Sequence, residues 1–282
     1  MRELRNAAAN TLAVDGNLIF DIGMDECQDT DFYLKKGFRV VAVDANPSTC
    51  AAARARYAAE IASGQLTVVN RAISETREPL TFHVCDTLSA WSTADTRLRD
   101  KLIERDRATF TDVTVDGVRT SDLIEEFGLP YFAKIDIEGF DLICLQGFVG
   151  VPTRPTYLST ELDPNAAGDA LRCLEALGYR RFALVGQARA PEQRPPRPAL
   201  EGQDIDHTFA HHASGLFGRE LPEPWVGAKE VLRRCSVIRL QSKLSGALYK
   251  LARIKPLAGL TERLRLRFLP LACDWYDVHA AG

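Results

Sequence analysis

Short β-branched and aromatic runs alternate with stretches of helical periodicity along the first two thirds of the chain. That alternation predicts a parallel sheet covered by helices on both faces, a Rossmann-like α/β fold. NLIFDIG from Asn17 reads as a strand ending in a turn, DTDFYLKKG from Asp29 as a helix stopped by Gly37, and FRVVAVDAN from Phe38 as a second strand ending in an acid. One helix is expected from Pro47 to Ala62, strands from Gln65, Leu80, Tyr131 and Thr153, a helix from Asn165 to Leu177, and a last regular strand from Tyr179.

The texture changes between Gln187 and Pro224, where proline is dense; this part reads as an excursion or a lid. From Val226 to Pro270 there are eleven Lys or Arg against two acids, a local charge of +9 that leaves −12 for the rest. Leu244, Leu248 and Leu251 share one helical face, and after Pro256 so do Leu257, Leu260, Leu264 and Phe268. The organisation expected is a core over 1–186, an insertion over 187–270, and a terminal strand over 271–282 that returns to the core.

Composition narrows the class. With 282 residues, 46% hydrophobic, 26% charged and a net charge of −3, the chain reads as an ordinary soluble globular protein. No apolar run approaches the ~20 residues of a spanning helix, and the opening stretch lacks the apolar core of a secretory signal, so the cytoplasm is the expected address. Seven scattered cysteines without a CxxC pair argue against structural zinc or a disulfide framework.

The candidate chemistry lies at strand ends, where open α/β sheets bind ligands. Asp21 and Gly23 end the first strand, and Asp44 ends the second, 21 residues beyond Gly23. That is close to the ~20-residue spacing at which an acid reaches ribose hydroxyls. A dinucleotide needs GxGxxG for its pyrophosphate, whereas this turn, DIGMDECQDT, has one glycine and the acids Asp25, Glu26 and Asp29. Such a turn repels phosphate and favours the cationic sulfonium and amino groups of S-adenosylmethionine. In KIDIEGFD, strand alternation puts Lys134, Asp136 and Glu138 on one face, a costly arrangement unless they line a cleft and pair there.

DIG at Asp21 to Gly23, DTDFYLKKGFRVVAVDANP from Asp29 to Pro47, and KIDIEG at Lys134 to Gly139 together resemble the FkbM-type methyltransferase family. Similar text continues through PTYLSTELDP, SGLFGRELPEPW and the terminal WYDVHA. The resemblance implies a class I methyltransferase sheet of seven strands with the last antiparallel, formed here by the terminal DWYDVHA. It also implies S-adenosylmethionine as cofactor and methylation of hydroxyl oxygens on sugars, polyketides or other natural products. By position, Asp21, Gly23, Asp44, Ala45, Ala72, Ile73 and Asp136 would contact the cofactor, and Asp136, Glu138 and Lys134 would face the reaction centre.

Cys27 stands where a small residue or second glycine is usual, and Asp25 where histidine or asparagine is usual; Cys27 is expected to crowd the methionine moiety. His83 and His279 are alternative bases, and Trp91 and Trp225 candidate covers for adenine or acceptor. A metal near Asp136, Glu138 and Glu161 is demanded by no spacing, and none is expected. The competing reading is a non-catalytic scaffold whose basic region, 241–270, touches a membrane surface or an acidic partner. Nucleic acid is not expected, because the remaining surface is acidic and no base-stacking motif is present.

Overall fold

The computed structural model describes residues 12–252 and 275–282, with the backbone alone over 245–252. The elements in chain order are β1 (Val14–Ile22), α1 (Gln28–Lys35), β2 (Arg39–Asp44), α2 (Pro47–Arg56), α3 (Ala58–Ala62), β3 (Leu66–Asn70), β4 (Ala72–Ile73) and β5 (Leu80–Cys85). There follow α4 (Thr96–Asp106), β6 (Phe110–Val115), β7 (Gly117–Val118), α5 (Thr120–Phe127), β8 (Leu129–Ile135), α6 (Asp141–Gln146), β9 (Tyr157–Glu161), α7 (Ala167–Ala176), β10 (Arg181–Gly186), α8 (Ala228–Ala252) and β11 (Tyr276–Ala281).

Seven strands form the main sheet in the order β3-β2-β1-β8-β9-β11-β10. β11 lies between β9 and β10 and runs antiparallel to both, as the terminal WYDVHA was expected to do. Because side chains alternate along a strand, β1 feeds two cores. Leu18, Phe20 and Ile22 face a layer built by α5, α6, α7 and α8, whereas Ile19 faces the opposite layer of α1 and α2. The strand order reverses between β1 and β8, which opens a crevice beyond their carboxyl ends, the place where such sheets take ligands.

Local chemistry sets the helix ends. Asn46 caps α2 by accepting the Ser48 N–H, with Pro47 in the first turn, and Asp95 caps α4 by accepting the Arg97 N–H. The single helix expected over 47–62 divides at Tyr57, whose buried ring turns the chain and donates its hydroxyl to Asp31. The strand at Leu80 is outside the main sheet: β5 pairs antiparallel with β6 in a hairpin that stands with α4 over the crevice. The Pro-rich excursion is a wall. Phe209, Leu216 and Phe217 cover the α1 face of the sheet, and Phe217 stacks on Phe132 at 4.6 Å. The basic stripe after Pro256 lies outside the described residues.

Candidate functional site

At the end of β1 the chain turns through Gly23 at φ +87°, and a Cβ there would stand 1.7 Å from the carbonyl oxygen of Asp136. Only glycine lets the two strand ends meet so closely. Asp44 then folds the turn onto β2: its carboxylate accepts the N–H of Asp25 at 3.0 Å and of Asn46 at 2.8 Å. Burial raises its pKa to about 6 against the pull of those donors. Each Asp44 oxygen keeps a free lone pair, so a ribose diol can still be bound. Ser89 donates to Asp25 at 2.8 Å, pinning the segment after the β5 strand onto the first turn.

Behind this turn, Asp21 and Lys134 are neighbours in adjacent strands. Lys134 is buried, donates to the Gly23 carbonyl at 2.9 Å, and stands 3.5, 3.6 and 3.7 Å from Asp21, Asp29 and Asp136. One ammonium faces three carboxylates. Burial pulls the Lys134 pKa down, but Asp21, Asp136 and Asp29 together hold it well above its ordinary value, so the lysine stays charged. The acids carry the deficit: burial raises Asp21, and raises Asp29 to about 6. Thr30 supports Asp21 by donating to it, and the Ser214 N–H supports Asp29.

Beyond β8 the backbone enters a tight loop in which Glu138 adopts φ +46°. Asp141 holds that loop by accepting the N–H groups of Ile137 and Gly139, and Thr93 donates to the Glu138 carbonyl at 2.6 Å. Asp136, Glu138 and Glu161, the last from the end of β9, each offer an oxygen within 4.8 Å of the others, a spacing that could hold a metal ion. Burial, then the neighbouring acids, raise the Glu138 pKa well above the carboxylate range and that of Glu161 to about 8.

These groups line one cavity of about 950 Å³. Gly23, Asp44, Ala45, Ala72, Ile73, Lys134, Asp136 and Glu138 all reach it, whereas Asp21 lies behind Lys134 as its support. Trp91 is on the wall; Trp225 packs instead beside Tyr157 and Val185. Neither alternative histidine lines the cavity. His83 is buried in the hairpin against Asp112, and His279 is enclosed in the sheet with both ring nitrogens unpartnered and its pKa pushed down to about 3 by burial. Cys27 corrects the sequence expectation: at φ +64° its side chain turns away from the cavity into the apolar layer with Phe32, Cys50 and Tyr57.

Sequence reasoning gave Glu161 no role beyond a possible metal ligand and missed the face of α4 that supplies Leu98, Leu102 and Arg105 to the wall. The acid that ends TYLSTE, as Asp44 ends VVAVD, was the available signal for Glu161. With two turn N–H groups taken by Asp44 and carboxylates around the rest, no phosphate cradle forms. The geometry fits a nucleoside carrying positive charge.

Comparison with known families agrees with that chemistry: the methyltransferase FkbM domain matches residues 13–181. The chain belongs to the FkbM methyltransferase family. The match runs from β1 to the start of β10 and takes in every strand-end acid named above. No curated protein sequence matches the chain. Among solved structures, precorrin-6y C5,15-methyltransferase from Geobacter metallireducens GS-15 is similar at 16% identity over 62% of this chain and 69% of that one, with a TM-score of 0.33. That likeness is too loose to bear on the chemistry. Among the described residues, no helix of this methyltransferase is long and apolar enough to cross a membrane.

Proposed function

We propose that this FkbM methyltransferase uses S-adenosylmethionine to methylate a hydroxyl oxygen of a small-molecule acceptor, a sugar or another natural product. The observation that carries the reading is the pairing, in one cavity, of Asp44 at the end of β2 with two buried acids, Glu138 and Glu161, whose pKa values burial raises. Bound S-adenosylmethionine supplies an electrophilic methyl group on a sulfonium. Asp44 would hold the ribose, Ala45, Ala72 and Ile73 would flank the base, and Asp29 and Asp136 would supply negative charge toward the cationic end.

An alcohol acceptor must lose its proton as the oxygen gains the methyl group, and a carboxylate whose pKa lies near the working pH takes that proton best. Glu161, held near 8, meets that requirement, with Glu138 beside it to share the charge. Asp136 is engaged instead by Lys134, which stands 3.7 Å from it. Lys134 thereby orients the acids and donates no proton of its own.

Calorimetric titration of S-adenosylmethionine and S-adenosylhomocysteine into wild type and Asp44→Ala tests the cofactor. Micromolar binding, weakened at least ~100-fold in the variant as two turn donors and the ribose lose their acceptor, is expected. No binding by well-folded wild type sinks the proposal.

A further inference from the structure

We propose, on the methyl-transfer reading above, that the acceptor carries an anionic group, a phosphate or a carboxylate. Lys101, Arg105 and Arg71 hold that group at the rim of the cavity while a hydroxyl of the same molecule reaches the acids below. Charge in the cavity wall is sorted by exposure. Of its acids, lysines and arginines, Asp25, Asp29, Asp44, Asp136, Glu138 and Glu161 are buried or half-buried, with Lys134 among them. The exposed ones are Arg71, Lys101 and Arg105, against Asp163. The floor is acidic and the rim basic.

One helix face builds most of that rim. Leu98, Lys101, Leu102 and Arg105 follow the i, i+3, i+4, i+7 spacing of a single face of α4, and all of them line the cavity. Leu98 packs over the loop after β8, where a Cβ added at Gly139 would stand 3.6 Å from its side chain, so this end of the face adjoins Glu138. Lys101 and Arg105 follow about 5 and 10 Å farther along the helix axis. Arg71 enters the same wall directly after β3. Between rim and floor, Leu88, Trp91 and Leu98 offer an apolar surface for a ring.

The protein leaves these bases largely unused. Lys101 has no hydrogen bond or ion pair among the described residues. Arg105 bonds Asp106 through Nε, at 2.7 Å, which leaves its terminal amino groups without partners there, and Arg71 meets Glu126 only at 3.9 Å. Guanidinium and ammonium donors with spare N–H groups match the oxygens of a phosphate or carboxylate. S-adenosylmethionine has a net positive charge, so the acidic floor attracts it and the basic rim does not. An anion on the acceptor meets the reverse field, excluded from the floor and held at the rim. The sorted charge thereby sets which end of the acceptor enters first.

The test is calorimetric titration of the full chain, loaded with S-adenosylhomocysteine, with glucosyl phosphate, glucuronate and glucose. At least one of the anionic sugars should bind tenfold or more tightly than glucose, and that gain should shrink severalfold in about 0.5 M salt. Whichever binds tighter identifies the anion. Lys101→Gln with Arg105→Gln should abolish the gain while leaving thermal unfolding as in wild type, because both side chains are exposed. S-adenosylhomocysteine affinity should stay within about threefold. Equal or undetectable binding of all the sugars, or a gain unchanged in the double variant, overturns the proposal. So does a parallel loss of S-adenosylhomocysteine affinity, which would assign the bases to the cofactor's own carboxylate. A wild type that binds no S-adenosylhomocysteine sinks the methyl-transfer reading together with this one, whereas intact cofactor binding without preference for an anion sinks this one alone.

Discussion

Two buried lysines contrast a charge cluster that holds the fold with one that stands beside the cavity. Lys36 at the end of α1 donates to Glu220 at 2.8 Å, and both side chains are completely enclosed. The same Glu220 oxygen accepts the N–H groups of Leu200 and Glu201, while Glu201 accepts from the Tyr131 hydroxyl and from Arg219. Charges there balance one to one, and the result is a clamp between α1 and the Pro-rich wall. Lys134 is also buried but serves three carboxylates, with Glu138 and Glu161 beyond its reach. Burial, with too few cations to offset it, raises these carboxyl pKa values and brings that of Glu161 to about 8.

Removing each lysine breaks the comparison most directly. Lys36→Met leaves Glu220 buried without its cation and should cost about 3–5 kcal/mol. Lys134→Met should cost a similar amount at pH 7.5 but recover on acidification. The sign follows from the acids: Asp21 and Asp29 have folded pKa values above their unfolded ones, so protonation favours the folded state and the deficit shrinks as pH falls toward 4. Urea unfolding at pH 5 and 7.5 reads both effects. A Lys134→Met chain as stable as wild type at pH 7.5 would remove the ionic account of that cluster.

Glu161→Gln is expected to keep the fold and lower the methylation rate by ~10²–10⁴. In wild type the rate should climb as pH passes through about 8, where Glu161 loses its proton, and the variant should lose that rise. A variant with an unchanged profile places the base elsewhere.

His279 sharpens the contrast from the neutral side. It lies opposite Ser159, itself opposite Lys134, yet among the described residues no acid compensates it and burial keeps it uncharged. With a folded pKa near 3 against 6.5 unfolded, it contributes fully above 6.5 and loses stability as pH falls. The loss is roughly 2 kcal/mol by pH 5. His279→Gln should flatten the decline in Tm between pH 6.5 and 5; an identical slope in both proteins rules the residue out as its source.

What could be read from the sequence was whatever lay within one element. The strands at Asn17, Phe38 and Tyr179 and the acids closing the first two are written in contiguous patterns, so the strand-end positions of Asp21, Gly23 and Asp44 were legible. Glu161 was not, because its role depends on β9 lying beside β8, a relation set by pairing across 25 residues. α4 escaped because charge interrupts its apolar face: RLRDKLIERD buries only Leu102 fully. Proline density shows that the segment from Gln187 to Pro224 is irregular, an excursion or a lid, but not which face it covers.

Cys27 tests the smallest and most discriminating step. Read along the sequence, a side chain in place of glycine crowds the cofactor turn, and such crowding would favour a non-catalytic scaffold. In the fold the left-handed backbone at Cys27 aims the thiol at Cys50 and Tyr57 instead, and burial drives its pKa up to about 12, so it is an inert apolar group. Cys27→Gly should relieve the left-handed strain while losing a buried sulfur. These opposing effects of about 1 kcal/mol should leave stability within about 1 kcal/mol of wild type. S-adenosylhomocysteine affinity, measured beside wild type, should stay within about threefold, which corresponds to less than 1 kcal/mol. A tenfold or greater gain in the glycine variant would mean that the side chain does press on the cofactor and would restore the scaffold reading. An unchanged affinity leaves the acidic turn, not its missing glycine, as the feature that selects the ligand.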